Sequence, residues 1–138
     1  MLLHFWALCW LQPLPAAINR AQIAKILPVD AAAYIQRTHP AGKMFNSYNF
    51  GAYLVWALYP DYPVYVDGRT DLYNDPFLRE YLDVMLGRPG YEATLDKYGI
   101  NLVLVEADSL LGDRLSESAT WSKTYSDKVA AVYERVGP

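Results

Sequence analysis

Apolar and polar positions along the chain follow helical and strand periods in turn, and this pattern predicts an α/β fold. Helices are predicted where apolar residues recur every three or four positions, and strands where short apolar runs are bounded by turn residues. Helices are predicted at 16–26, 31–38, 50–59, 76–86, 91–98 and 109–118, and strands at 43–46, 64–66, 102–105, 121–126 and 129–135. We therefore expect a small, partly parallel sheet of about four or five strands flanked by helices, with a C-terminal antiparallel hairpin.

The helix at 50–59 is apolar on all sides. Phe50, Leu54 and Leu58 share one face, while Val55 and Trp56 make the opposite face apolar as well. A helix with this pattern is typically buried, so we expect it to be covered on both sides.

Capping residues mark three helix ends. Asp75 followed by Pro76 has the pattern of an N-cap residue with proline at the first helical position. Gly99 is expected to cap the helix before the strand at 102–105, because glycine adopts the left-handed conformation without strain. Asp108 or Ser109 is expected to cap the next helix.

The first residues form an apolar run that is short for a membrane span. Met1–Leu11 is almost wholly apolar, about half the ~20 residues that a transmembrane helix needs. One interpretation is a truncated transmembrane helix, in which Trp6 and Trp10 lie at the membrane interface. The other is a signal-like segment followed by small residues at Ala16 and Ala17.

Composition favours one domain after this segment. The 138 residues suffice for a single core. We assign residues 1–27 to the apolar segment and a linker, and residues 28–138 to a soluble α/β domain. The net charge of −3 is spread along the chain, which argues against a nucleic-acid partner. The single cysteine, Cys9, excludes disulfide architecture within the chain.

The chain lacks the usual catalytic and metal-binding signatures. It has no phosphate-binding glycine loop, no Gly-x-Ser-x-Gly elbow and no spacing of Cys or His typical of metal ligands. Glu106 and Asp108 follow the strand at 102–105, where carboxylates share a hard cation in some glycosyltransferases, but a solvated loop is the favoured interpretation. We predict no catalytic residue, no metal site and no cofactor.

Polar groups gather at both ends of the helix at 50–59 and the strand at 64–66. These candidate ligand-binding residues are Asn46, Tyr48, Asn49, Asp67, Arg69, Asp71 and Tyr73. Arg69 suits a bidentate contact with an anion, and the carboxylates suit sugar hydroxyls. The competing interpretation is an internal ion pair between Arg69 and Asp67 or Asp71. Asn46, Tyr48 and Asn49 precede a helix N-terminus, where they either cap the helix or bind an anion.

A set of short motifs points to a known family. They are Pro28-x-Asp30-Ala31, Asn46-x-Tyr48-x-x-Gly51-x-Tyr53-Leu54-x-Trp56, Tyr62-Pro63-Val64, Asp67-Gly68-Arg69-x-Asp71-Leu72-Tyr73, and Trp121 with Tyr125-x-Asp127. Together they resemble the C-terminal extramembrane domain of polytopic bacterial membrane proteins. Those proteins are GT-C type glycosyltransferases of the dolichyl-phosphate-mannose mannosyltransferase kind, or uncharacterised membrane proteins. The resemblance covers about Pro28 to Arg135.

The resemblance implies a membrane-associated protein whose domain lies on the periplasmic or extracellular side. In such enzymes the catalytic acidic residue belongs to an early extramembrane loop, which this chain does not contain. We therefore expect an extramembrane domain of a glycosyltransferase-like protein that is not catalytic alone and assists binding of a lipid-linked sugar donor or acceptor. Its expected partners are the membrane, through the N-terminal apolar segment, and a lipid-phosphate sugar or glycan acceptor.

Two other hypotheses stay open. One is a secreted carbohydrate-binding or protein-interaction module without catalytic activity, produced by cleavage of a signal segment. The other is a purely structural domain that packs its Trp56 side against neighbouring helices.

Overall fold

A computed structural model describes residues 16–137 of the chain, so the predictions made for residues 1–15 lie outside the described part. The helices are α1 (Ala16–Ile23), α2 (Val29–Thr38), α3 (Gly51–Leu58), α4 (Asp75–Met85), α5 (Tyr91–Lys97) and α6 (Leu110–Glu117). The strands are β1 (Lys43–Asn46), β2 (Ile100–Glu106), β3 (Trp121–Ser126) and β4 (Ala130–Arg135). Short 3₁₀ turns cover Tyr48–Phe50 and Thr70–Leu72.

The strands form a mixed sheet of four in the order β1-β2-β4-β3. β1 is parallel to β2, with Phe45 opposite Val103, while β4 is antiparallel to both β2 and β3. The predicted α/β class and the C-terminal hairpin are confirmed, and the predicted strand at 102–105 lies within β2, which has a neighbouring strand on each side.

Helices cover both faces of the sheet because β2 is apolar on both. Leu102 and Leu104 face the layer formed by α2 and α3, while Val103 and Val105 face the layer formed by α4, α5 and α6. All four side chains are fully buried. Burying a side chain of this size stabilises the fold by roughly 1.5–3 kcal/mol relative to exposing it.

The predicted strand at 64–66 is wrong. This segment lies beside β1 but has no strand structure. Pro63 lacks a backbone N–H, and the side chain of Asn46 occupies the backbone groups of Tyr65 and Val66 instead. At this edge of the sheet, the side-chain amide of Asn46 therefore makes the hydrogen bonds that the backbone of a neighbouring strand would otherwise make.

Two helix predictions also need correction. The N-cap of α4 is Asn74 rather than Asp75, since Asn74 Oδ1 accepts a hydrogen bond of 2.9 Å from Phe77 N. Helix α3 is covered on one side only, because α3 lies on the outside of its layer and buries Leu54 while Trp56 is 78% exposed. Within residues 16–137, no helix combines the length and the apolar character needed to cross a bilayer.

Candidate functional site

A groove opens at the edge of the sheet where the two parallel strands end. β1 ends at Asn46 and β2 at Glu106, so the loop after β1 and the last residue of β2 lie side by side. Open α/β sheets usually bind ligands at such an edge. The Glu106 groove, as we call it, has a volume of about 360 Å³ and is lined by Ser47, Tyr48, Asn49, Leu78, Tyr81, Leu82, Met85 and Glu106.

The polar wall of the groove is built around the carboxylate of Glu106. Its Oε1 atom accepts a hydrogen bond of 2.6 Å from Ser47 Oγ and one of 3.0 Å from Asn49 Nδ2. Ser47 precedes the 3₁₀ turn at 48–50, but its side chain bonds Glu106 rather than capping that turn. Both hydrogen bonds end on one oxygen, so the carboxylate is held in place while its Oε2 remains an acceptor for a ligand.

Tyr81 forms the base of the groove. Its phenolic oxygen accepts a hydrogen bond of 2.7 Å from the backbone N–H of Tyr48, and its ring stacks on Phe45 at 5.5 Å between centroids. Burial raises the pKa of Tyr81 to about 12, and the nearby carboxylate of Glu106 adds to this effect. Tyr81 is therefore neutral at physiological pH and keeps a proton to donate.

The opposite wall is apolar and comes from α4. The sequence places Phe77, Leu78, Tyr81, Leu82 and Met85 on one apolar face of this helix, and the structure buries Tyr81 of that face together with Val84. Leu82 is 52% exposed and lines the groove. Helix α4 thus presents an apolar strip, formed by Leu78, Leu82 and Met85, to the groove.

Asn46 lies beneath the groove and has no exposed surface. Its Nδ2 donates to Val66 O at 2.8 Å and to Ser47 O at 2.9 Å, while its Oδ1 accepts from Tyr65 N at 2.7 Å. Backbone groups thus engage both ends of the amide, and Asn46 supports the loop that carries Tyr48 and Asn49.

Asp67 and Arg69 form a closed ion pair away from the groove. Arg69 donates to Asp67 Oδ2 from Nη2 at 2.6 Å and from Nε at 2.9 Å, and its backbone N–H donates to Oδ1 at 3.0 Å. Tyr73 donates its hydroxyl proton to Oδ1 at 3.2 Å. The hydrogen bonds from the Arg69 side chain hold the pKa of Asp67 below its ordinary value. This geometry corresponds to the internal ion pair, which is the alternative to ligand binding in the sequence analysis.

The seven predicted binding residues do not share one hollow. Tyr48 and Asn49 line the groove, Asn46 lies below it, and Asp67, Arg69 and Tyr73 form the ion-pair cluster. Asp71 is exposed in the 3₁₀ turn at 70–72. Their role in ligand binding stays a prediction.

Sequence reasoning did not propose the polar groove residues Ser47 and Tyr81 as binding candidates, and it considered Glu106 only as a ligand for a cation. Glu106 carried a usable signal, because it directly follows the predicted strand at 102–105 and parallel strands end at a common edge. Tyr81 carried none, since it looks like any apolar helix position.

Comparison with known proteins found no match to this chain among family models, curated proteins or solved structures. In the part of the chain that the structure describes, no cluster of three or more His, Cys, Asp or Glu side chains is arranged to hold a metal ion.

Proposed function

We propose that this chain is an extramembrane domain of a membrane glycosyltransferase-like protein, on the periplasmic or extracellular side, and that its Glu106 groove binds a glycan acceptor. The observation that carries the proposal is a fixed carboxylate facing an apolar wall. Carboxylate oxygens accept hydrogen bonds from sugar hydroxyls, and aromatic and aliphatic side chains pack against the C–H faces of sugar rings. The residues that line the groove do not form a set of catalytic groups, so we propose that the groove binds a ligand and does not carry out a reaction.

The charge of the groove favours an acceptor over a phosphate-bearing donor. Its eight lining residues include one carboxylate and no lysine or arginine. Near a protein surface, two like unit charges 4 Å apart repel by about 4 kcal/mol, which disfavours a phosphate beside Glu106. Arg69, the cation considered for a phosphate, is already paired with Asp67.

An alkyl glycoside tests the proposal, because it joins sugar hydroxyls to an aliphatic chain. Octyl β-D-glucopyranoside below its micellar concentration is titrated into the full chain while amide chemical shifts are followed by NMR. We expect shifts at the groove, and an affinity reduced about tenfold or more in Glu106→Gln, since hydrogen bonds to charged groups contribute roughly 1.5–3 kcal/mol.

Glu117→Gln is the matched control. Glu117 lies exposed on α6 and is not among the residues that line the groove, so this change should leave binding at its original strength. If the amide chemical shifts of the groove residues do not change, or if both variants lose the same affinity for the glycoside, the result would argue against glycan binding in the groove.

The membrane part of the proposal has a separate test. Expression of the gene in its native cell, followed by fractionation, should place the chain with the membranes. A mature chain released into the medium and starting near Ala17 or Ile18 would instead support the secreted carbohydrate-binding module.

A further inference from the structure

The outer surface of the α1–α3 layer carries an exposed tryptophan over a shallow hollow. This hollow of about 490 Å³ lies among α1, α2 and α3, and its walls include Arg20, Ile23, Tyr53, Trp56 and Ala57. We call these five residues the Trp56 face. The Trp56 side chain is 78% exposed, and its ring contacts that of Tyr53 at 5.8 Å between centroids.

Trp56 is exposed although its helix is firmly packed. Leu54 and Leu58, on the other side of α3, are 0% and 3% exposed and fix the helix against the sheet. The indole therefore cannot turn inward without unpacking α3. An indole has a large apolar body and one N–H donor, which suits the boundary between hydrocarbon and water in a membrane.

The sequence next to this face supplies a membrane-seeking segment. Arg20 and Ile23 belong to α1, which begins at Ala16, and the apolar run that starts the chain ends at Leu11. Leu11 and Ala16 are five positions apart, and a fully extended chain of that length reaches at most ~18 Å. If the apolar run enters a bilayer, the beginning of α1 is therefore held close to the surface of that bilayer.

We propose that the Trp56 face lies against the interface of a lipid bilayer, with the Trp56 indole at the level of the headgroups. This inference rests on the membrane attachment in the proposed function. The attraction is apolar rather than ionic, since the Arg20 guanidinium is paired with Asp30 at 3.1 Å. Zwitterionic phosphatidylcholine is therefore a sufficient partner.

The orientation would bring the Glu106 groove near the membrane. Asn49, on the polar wall of the groove, precedes Trp56 by seven residues along the 3₁₀ turn and α3. At 1.5 Å per helical residue, the two lie about 10 Å apart along the helix axis.

Fluorescence quenching by brominated lipid tests the proposal on the full chain. The chain has four tryptophans, so Trp6→Phe and Trp10→Phe are combined, which leaves Trp56 and the buried Trp121 as emitters. Phenylalanine keeps the first segment apolar. We expect phosphatidylcholine vesicles brominated on their acyl chains to remove the Trp56 emission, compared with unbrominated vesicles that bind the same fraction of protein by sedimentation.

Two variants of this double mutant make the assignment specific. Adding Trp56→Phe should abolish the quenching, because Trp121 is shielded in the core. Adding Leu110→Trp to that triple variant places an indole at an exposed position on α6, across the sheet, where brominated lipid should leave its emission intact.

The possible failures are distinguishable. Vesicle binding without quenching of Trp56 would overturn the proposed face and leave membrane attachment standing; this result is expected if the apolar run or a second copy of the chain covers Trp56. Absence of vesicle binding would overturn both the face and the membrane attachment. Glycan binding at the groove is measured independently of either result.

Discussion

The side-chain amide of Asn46 pairs with the backbone of Val66 as a neighbouring strand would. Asn46 Nδ2 donates to Val66 O at 2.8 Å, and Asn46 Oδ1 accepts from Val66 N at 3.4 Å. The pair joins β1 to the loop at 64–66 and is fully buried. One side chain thus satisfies backbone groups that would otherwise be buried without partners.

Replacing Asn46 with aspartate should destabilise the fold strongly. A carboxylate has no N–H to donate to Val66 O, and burying a charge without a partner is costly, so we expect a loss of about 3 kcal/mol or more in the free energy of unfolding. Urea denaturation followed by circular dichroism measures it. Asn101→Asp, at an exposed position on β2, is the control and should change stability by less than about 0.5 kcal/mol. Equal stability of both variants would contradict the role of Asn46.

Ser47→Ala should lower stability through Glu106. The hydroxyl of Ser47 is buried and donates to the Glu106 carboxylate at 2.6 Å, and a hydrogen bond to a charged group contributes roughly 1.5–3 kcal/mol. The same change leaves Asn49 as the one remaining residue that holds Glu106 in the groove, so glycoside affinity should fall as well. Denaturation and NMR titration measure the two effects. Ser122→Ala on the exposed side of β3 should change neither.

Gly51→Ala should destabilise the chain although alanine favours helices. A Cβ atom at position 51 would overlap Val66 O and approach Asp67 Cα at 2.6 Å, and backbone atoms cannot move aside as a flexible side chain can. Overpacking typically costs 1–3 kcal/mol, which exceeds the gain of about 1 kcal/mol in helix propensity. The thermal midpoint of unfolding should fall.

Gly68→Ala is the matched control for Gly51. No atom lies within 4 Å of a Cβ built at Gly68, and the backbone of Gly68 is not left-handed. We expect an unchanged or slightly higher midpoint, because alanine restricts the unfolded chain. A lower midpoint in Gly68→Ala than in Gly51→Ala would contradict the packing argument.

Asp67 should contribute to the loss of stability in acid. Hydrogen bonds from Arg69 lower the pKa of Asp67 below its ordinary value of 3.8, so the unfolded chain binds a proton at higher pH than the folded one. The contribution of Asp67 is present above that value and is lost as the pH falls through the folded-state pKa. In Asp67→Asn, the free energy of unfolding should therefore fall less steeply below pH 3.8.

Urea denaturation at a series of pH values from about 2 to 6 measures this difference over the range where carboxylates titrate. Asp71→Asn is the control, because Asp71 is an exposed carboxylate outside the ion-pair cluster. A profile of Asp67→Asn that stays parallel to the wild type throughout would show that the ion pair does not stabilise the fold.

Local signals predicted most of the fold. The apolar runs of β2 and the hairpin, the left-handed glycine at Gly99 and the N-cap at Ser109 are all found where the sequence places them. The prediction of a strand at 64–66 was wrong because Asn46, whose side chain bonds the backbone of this segment, lies about twenty residues earlier in the chain. No local pattern shows that a side chain will take the place of a strand.

The sequence by itself determined the α/β class, the order of the helices and of the strands that form the sheet, and the presence of polar residues after β1. Those features depend on periodicity, capping and burial within short segments. Only the tertiary structure decided that Ser47 meets Glu106 across 59 positions and that Tyr81 meets Tyr48 across 33. Such pairs depend on sheet register and on the rotation of α4. Both are set by packing between segments that are distant in the chain, so no single segment encodes them.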